Sequence, residues 1–482
     1  MSEEKAKSRR VMAGKNKRFA IAQKTQSFGT RVAGFGLTID ESLRRDVLAI
    51  RAASRKAGED DGYIVRFLSM CETHIVGPEG FSLQNKAKLA NGKQDKASND
   101  IIEAGFKEWG KKGCCDVTGQ YSWMDIQRLF IKTVAQDGAC LVREVRGFPN
   151  KYGYALQLLE ADHLDINYNR SNYNGNQIKH GVELDDFGRH IAYHILTVHP
   201  GDRAYFHGNT RYERIPAEEL LFAYYPFRIG QTIGVPWPHA ALVELLDLYN
   251  YREAEITLAR VAASKAFAYV PDSEVEPAED DEEEVFEQEL EPGGGIVVPY
   301  GYDIKELNFK ADGQNAAAFT KTALRGGASS LDVSYNSLAN DLEGVNFSSL
   351  RHGVLEDRDN WRKRQGWMRE TMLERVFKSW LQMALLSAEL GKLTLLDFDR
   401  LNQPVFFGRR WDWVNPLQDE KANTEAINNR TRSPQSIIRE RGEDPEVVLS
   451  EIEEWYARTK HLNQEGKANA ASTQNAATKA SD

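Results

Sequence analysis

His190 and His194 are four residues apart, a spacing that on a helix would let both ligate a divalent metal. The surrounding residues alternate apolar and polar, so the pair is placed on a strand, where same-face histidines are ordinarily surface or half-buried groups. Asp185-Asp186 and Asp397-Phe398-Asp399 could hold Mg²⁺ for phosphodiester cleavage, but isolated carboxylate pairs are common. A phosphate-cradling loop would need Ser or Thr after its Gly-Lys. Gly14-Lys15, Gly92-Lys93, Gly110-Lys111, Gly391-Lys392 and Gly466-Lys467 all lack it. Gly327-Ala-Ser-Ser-Leu331 fails as a nucleophile elbow at its last position, and there is no HExxH. Nucleophile, base and oxyanion donors are not assembled by any motif, so no catalytic residue, metal or cofactor is expected and the chain reads as a non-enzyme.

The charges are more informative than the catalytic types. The 482 residues carry 62 Lys+Arg and 71 Asp+Glu, a formal net charge of −9. Met1–Arg31 holds nine basic and two acidic residues, a net of +7, without helical periodicity, and reads as a flexible basic arm. Its cations are Lys5, Lys7, Arg9, Arg10, Lys15, Lys17 and Arg18, with Lys24 and Arg31 beyond. Asp272–Glu291 holds twelve acids, among them Asp280, Asp281, Glu282, Glu283 and Glu284, and no Lys or Arg. Such a density of like charge cannot pack as a core. Taking both segments out of the −9 leaves −4 for the rest. The balance excludes a protein that grips nucleic acid through a basic excess, but not one that lets it pass. The four cysteines show no CxxC and read as reduced thiols of a cytoplasmic protein; no apolar run is long enough for a membrane span, and the basic N-terminus lacks a signal peptide's apolar core.

The elements that must position these residues follow from apolar spacing. Leu43, Val47 and Ile50 predict a helix over 43–53, and Ile64 to Ile75 a second, stopped by Gly77-Pro-Glu-Gly80. Ile101–Trp109 and Met124–Ala135 predict two more. From Ala139 the period changes to two. Cys140–Val145, Ala155–Leu159 and His190–Val198 predict strands joined by turns at Asn150, Asn174-Gly175 and Asp186-Phe-Gly188, in a β-rich block ending near Gly234. Pro236-Trp-Pro238 opens a helical run to about Ala268, and Gln314–Leu331 is a second helix that could run antiparallel to it. Gly293–Val298 reads as a turn into a strand. The Asn-, Asp- and Ser-rich 332–346 reads as a loop, and a long helix to about Glu389 follows, with Ser348 as candidate N-cap and a basic face of Arg358, Arg362, Lys363, Arg364 and Arg369. Short helices occupy 416 to about 460.

Six blocks in order resemble the lambda-type phage portal proteins. They are Arg44–Leu48 through Ile75–Phe81; Leu156–Asp162 with Gly181–His194; Arg214–Leu220 with Gly230–Pro236; Asn346-Phe-Ser-Ser-Leu-Arg351, similar to the family's Asn-Tyr-Ser-Ser-x-Arg; Arg410–Pro416; and Arg439–Pro445. Ile233 stands where many relatives carry Arg, and Asn415 where Asp is usual. The resemblance implies an α+β portal fold with long stem helices, a β-containing wing, a small α/β clip and a helical crown, assembled as a ring usually of twelve subunits. By order, 1–40 would be the arm, 41–235 wing, 236–270 and 303–335 the stem helices, and 271–302 the clip with the acidic insertion. The tunnel loop would be 336–346, followed by a long helix and remaining wing at 347–415, crown at 416–462 and a disordered tail at 463–482.

The function so implied is a channel at one capsid vertex through which double-stranded DNA is packaged and later ejected, without sequence specificity, and on which head and tail join. Implied partners are further copies of the chain, the terminase large subunit, the major capsid protein and scaffold, and a head-completion connector, with no membrane. The protein would sit in the virion, and in host cytoplasm during assembly. Asn336, Asn340, Asp341, Glu343 and Asn346 would line the channel's narrowest point; with no Lys or Arg between Asp332 and Ser349 they suit weak sliding contact. The acidic residues Asp280–Glu284 would face the motor. A capsid-shell protein without a channel, or a metal-dependent DNA-processing enzyme built on Asp397 and Asp399, are the alternatives.

Overall fold

Thr38 caps the first helix by accepting the Glu41 amide, and Asp40 and Glu41 complement the positive end of the helix dipole. This helix, α1, runs Ile39–Asp60 and buries Leu43, Val47 and Ile50. Asp61 then caps α2 (Gly62–Cys71) through its carboxylate, which accepts the amides of Tyr63 and Ile64. The helix widens to a π turn at Glu72–Val76 and stops at Gly77, whose φ of 86° an L side chain would resist. Strand β1 (Ser82–Asn85) follows, then α3 (Lys96–Trp109), capped by Asp95, and α4 (Trp123–Asp137), opened by a reciprocal capping box between Ser122 and Asp125.

This computed structural model describes residues 38–202, 212–263, 267–271, 302–306, 313–343, 346–411, 416–441, 445–446 and 448–459. The basic arm, the acidic run and 293–298 lie outside them. Among the described residues no helix is long and apolar enough to cross a membrane.

Gly138, left-handed at φ 86°, ends α4 and turns the chain straight into β2 (Ala139–Arg146). Then come β3 (Tyr154–Glu160), β4 (Arg170–Tyr173), β5 (Asn176–Lys179), β6 (Val182–Leu184), β7 (His190–Leu196), β8 (Tyr212–Pro216) and β9 (Leu220–Tyr224). They form two antiparallel sheets, ordered β3-β2-β9 and β4-β5-β6-β7-β8. Asn174 and Gly175 both have positive φ, the tight two-residue connection that Asn-Gly favours between paired strands. Ile233 is 1% exposed, and a charge there would lose its hydration.

A 3₁₀ turn at Trp237–Ala240 leads into α5 (Ala241–Ala263). The helical run expected to reach about Ala268 is described as far as Ala263, and Phe267–Pro271 is instead β10, paired antiparallel with β11 (Tyr302–Glu306). β-branched and aromatic residues before a proline suit a strand, and the pairing partner lies thirty residues on, beyond the reach of any local pattern. Helix α6 (Gly313–Ser330) then returns beside α5, and in sequence the acidic segment falls between β10 and β11. Within the expected loop, Ser334 caps a short helix, α7 (Tyr335–Ala339). Next is α8 (Phe347–Met368); Ser348 is its second residue, not its cap. The expected single helix to Glu389 is interrupted by a π turn at Arg369–Leu373 before α9 (Glu374–Leu386). The short turn α10 (Phe398–Leu401), β12 (Pro404–Phe407, paired with β1), α11 (Pro416–Asn428) and α12 (Pro434–Arg441) follow, and 448–459 is helical.

The chain divides into a smaller unit, Met1–Phe67 with Val235–Val345, and a larger one, Leu68–Gly234 with Asn346–Asp482. The larger unit's core is aromatic. Phe106 lies 5.0 Å from Trp380, 5.3 Å from Trp109 and 5.6 Å from Phe377, with edge-to-face or tilted rings. Trp109 donates its indole N–H to the Tyr154 carbonyl at 2.8 Å, which registers α3 on the sheet. All four cysteines are free, and burial pushes the thiols of Cys71 and Cys115 up to about 12.

Gly234 shows how tightly this unit closes. A Cβ there would overlap the Gly138 carbonyl and approach the Tyr224 Cβ to 2.7 Å. Backbone cannot give way as a side-chain tip can. Gly234→Ala is therefore expected to cost about 1–3 kcal/mol, read as a lower urea midpoint.

Candidate functional site

The loop after α6 belongs to the smaller unit and is held by a compact set of polar contacts. The two helices that present it approach closely because α6 is small-sided. Gly326 faces the Glu244 carboxylate, a Cβ on Gly327 would sit 3.5 Å from Leu245, and Tyr251 and Phe319 have ring centroids 4.3 Å apart. At 1.5 Å per residue α5 spans roughly 35 Å, shorter than the thirty-residue run that sequence periodicity suggests. Gly326 and Gly327 are unfavourable in a helix interior by propensity, and close packing is what compensates.

At the end of α6, Leu331, Val333 and Leu338 are buried and anchor the turn. The Tyr335 hydroxyl donates to Asp341 Oδ2 at 2.8 Å, and Lys321 Nζ reaches the same oxygen at 3.6 Å. Asp341 Oδ1 accepts the Glu343 amide at 3.0 Å. The Tyr335 ring lies under two cations of α6, with Lys321 Nζ and the Arg325 guanidinium each 5.7 Å from its centroid. Arg66 reaches the Ser337 carbonyl at 3.5 Å. Burial and the hydrogen bond to Asp341 raise the Tyr335 pKa. That hydrogen bond, then the Glu343 amide and Lys321, lower that of Asp341, which stays a carboxylate.

Of the residues expected to line a channel, Asn336 lies within α7 and is half-buried, Asn340 is exposed and left-handed at φ 53°, and Asp341 is turned into the Tyr335 lock. Glu343 is exposed. Asn346 is exposed and precedes α8. The segment is poor in cations, yet Lys321 and Arg325 stand beside it, a feature that reading the loop alone misses. The Tyr335–Asp341 pair is missed too, since a spacing of six has no helical or strand signature. The other groups of residues, Asp280–Glu284 and Lys5–Arg18, lie outside the described residues.

Two of the four carboxylates weighed as metal ligands, Asp397 and Asp185, have partners of their own. Asp397 bonds Arg400 at 3.2 Å, and Arg400 also holds Asp95 at 2.6 Å. Asp185 closes its turn by accepting the amides of Phe187 and Arg189. His190 Nδ1 contacts the Tyr193 hydroxyl at 3.1 Å, while the buried His194 lies 3.5 Å from Glu183, which is bound by Arg214 at 2.7 Å. Sequence did not single out Glu160, Asp162 and His199, whose ligand atoms all lie within 4.8 Å of one another. His199 Nε2 is 3.2 Å from Glu160 and 3.7 Å from Asp162, distances of a histidine–carboxylate cluster.

The described residues make a mixed α+β chain in which two helices lie side by side, with a two-stranded hairpin between them in sequence and a polar loop after the second. The family profile described as phage portal protein, lambda family, matches residues 33–365. A probable portal protein of Halomonas phage phiHAP-1 is 37% identical over 438 residues, covering 89% of this chain and 84% of the relative. The chain belongs to the lambda family of phage portal proteins. Among solved structures, a chain of the virion of a native gene transfer agent aligns over 86% of this chain and 97% of its own at 14% identity and a TM-score of 0.46. One from the neck of such a particle aligns over 83% and 94% at 14% identity and 0.44.

If the lock holds the loop, Tyr335→Phe should raise amide exchange at 341–343 roughly fivefold, the loss of one ordinary hydrogen bond. Helix α5 should be unaffected in the same hydrogen-exchange experiment.

Proposed function

We infer that copies of this chain close into a ring at one capsid vertex and that double-stranded DNA passes through its centre during packaging and ejection. The observation that carries the reading is family membership over most of the chain, supported by the helical pair that presents a polar loop at one end. In this reading the segment carrying Asn336, Asn340, Asp341, Glu343 and Asn346 borders the lumen, with the exposed Asn340, Glu343 and Asn346 toward it and Asp341 held by Tyr335. Neutral amides and carboxylates touch a phosphate backbone without neutralising it, so each contact adds little salt-sensitive affinity and the duplex slides. Lys321 lies 3.6 Å from Asp341 within the chain, so part of that carboxylate's charge is answered before any phosphate approaches.

The protein acts as a conduit and platform and not as an enzyme. The acidic insertion between β10 and β11, with Asp280–Glu284, presents charge to the terminase large subunit and repels DNA from the outer mouth. The C-terminal helices form the crown inside the head. Capsid and scaffold proteins and a head-completion connector dock around the ring, which is resident in the virion after assembly in host cytoplasm. Twelve is the subunit number the family resemblance implies.

Electron microscopy of the purified full-length protein should show closed rings with a hole as wide as duplex DNA. Deleting Asn340–Asn346 should leave those rings intact and reduce DNA packaged per particle in a complementation assay. Monomers without rings would overturn the channel, wild-type packaging by the deletion would overturn the loop's role, and divalent-metal-dependent DNA cleavage would restore the enzyme reading.

A further inference from the structure

The larger unit contains a half-open cavity of about 720 Å³ that neither the family comparison nor the channel reading uses. Helix α8 and the π turn after it supply one wall through Arg358, Arg362 and Arg369, with Gln365 between them. Their spacing of four, three and four puts all four side chains on one helical face. Arg409 and Arg410, after β12, form a second wall, and Arg432 and Arg439 close the third. Seven arginines thus line one cavity, and no Asp or Glu lines it among the described residues. Arg364, which sequence places on the same basic face, points elsewhere: it is 9% exposed and packs over the Trp361 ring at 5.0 Å.

The walls are fixed in place. Gln365 is 6% exposed and donates through Nε2 to the carbonyls of His74, Ile75 and Arg409, at 3.0, 3.2 and 3.0 Å, tying α8 to the strand exit. Gly408 leaves no room for a side chain, since its Cβ would meet the Phe81 ring at 2.7 Å. The Arg410 guanidinium lies 5.4 Å from the Phe407 centroid and that of Arg362 lies 5.9 Å from Trp411. Stacking uses the faces of a guanidinium and leaves its N–H edge for an acceptor. Arg409 donates to the Thr73 carbonyl at 2.7 Å, and burial lowers its pKa. Arg369 Nε is shielded from solvent and takes no hydrogen bond among the described residues. Arg362 also lies 2.8 Å from Asp359, in a pair whose members are 63% and 75% exposed and therefore weakly coupled.

Seven like charges around one cavity repel one another, and in a chain whose net charge is −9 this concentration is local. We propose that the cavity is a binding site for the phosphodiester backbone of nucleic acid, separate from the loop at 331–343. Forked guanidiniums match phosphate oxygens bidentately. The volume exceeds one small anion and falls in the range of pockets that hold larger ligands. Trp411 and Phe407 add ring surface of the kind on which bases stack, which favours nucleic acid over an acidic peptide. The site belongs to the larger unit and does not rest on ring formation or on a DNA channel. It grips, whereas a sliding loop does not.

The test is fluorescence anisotropy of full-length protein with a labelled single strand and a duplex of equal length, between about 50 and 200 mM salt. The cavity variant is Arg362→Gln/Arg410→Gln/Arg439→Gln; the control, with equal charge loss on an exposed patch at the end of α3, is Lys107→Gln/Lys111→Gln/Lys112→Gln. The cavity variant should bind at least tenfold more weakly, and its slope of log affinity against log salt should shrink by about two to three. The control should match wild type. A single strand bound more tightly than the duplex assigns the cavity to exposed ends, and the reverse assigns it to the packaged duplex; either supports the proposal. If the Arg410 change unfolds the protein, Arg362→Gln/Arg439→Gln, both at exposed positions, carries the test. Equal affinity of wild type and cavity variant, an equal loss in the control, or displacement of DNA by polyglutamate at lower concentration than by unlabelled DNA would each overturn it.

Discussion

Glu144 lies in the middle of β2 with its side chain only 1% exposed, and the larger unit is arranged around keeping that carboxylate satisfied. Arg375 Nε reaches it at 2.6 Å, the Tyr154 hydroxyl at 3.2 Å, and Arg146 Nη2 lies 3.6 Å away. Arg375 also donates to the Ala217 carbonyl at 2.7 Å. One guanidinium therefore joins the central strand, the segment between β8 and β9 and the start of α9. A buried pair of this kind contributes little net stability when intact, but losing one partner leaves an unpaired buried charge and costs about 3–5 kcal/mol. Its effect is on position. Helix α9 can sit on the sheet in one register, which brings Phe377 and Trp380 onto Phe106. Burial and the Glu144 charge hold the Tyr154 pKa well above its usual value, so its hydroxyl stays a donor.

The same register carries the cavity. Helix α8 continues through the π turn at Arg369–Leu373 into α9, so the face that presents Arg358, Arg362 and Arg369 is set by where α9 docks. A π turn shifts the helical face by inserting a residue, and such insertions recur at functional sites. A second π turn, Glu72–Val76, exposes the carbonyls that Gln365 collects. Two local irregularities, each unfavourable alone, are thereby joined through one buried amide.

The smaller unit uses another economy. Its loop has few cations of its own, and its order comes from α6, whose Lys321 and Arg325 flank the Tyr335 ring while Tyr335 holds Asp341. Leu331, Val333 and Leu338 bury the apolar side of the turn. A polar surface can then face outward without the loop collapsing.

Much of this is legible in the amino-acid sequence alone. Leu43, Val47 and Ile50 mark the buried stripe of α1, Asn174-Gly175 marks a hairpin, and the order of family blocks from Arg44 to Pro445 marks the class, because each depends on residues a few positions apart or on blocks kept in order. The errors fall where a distant partner decides. Phe267–Pro271 leaves the helix because Tyr302–Glu306 pairs with it. Arg364 leaves the basic face because Trp361 receives it. Gln365 meets the carbonyl of His74 across 291 positions, a contact with no trace in local periodicity. Periodicity records which side of an element is apolar. Which buried polar groups find one another, and which cations gather around one cavity, depends on how separate elements pack, since hydrogen bonds and charges act at distances of a few ångströms whatever their separation along the chain.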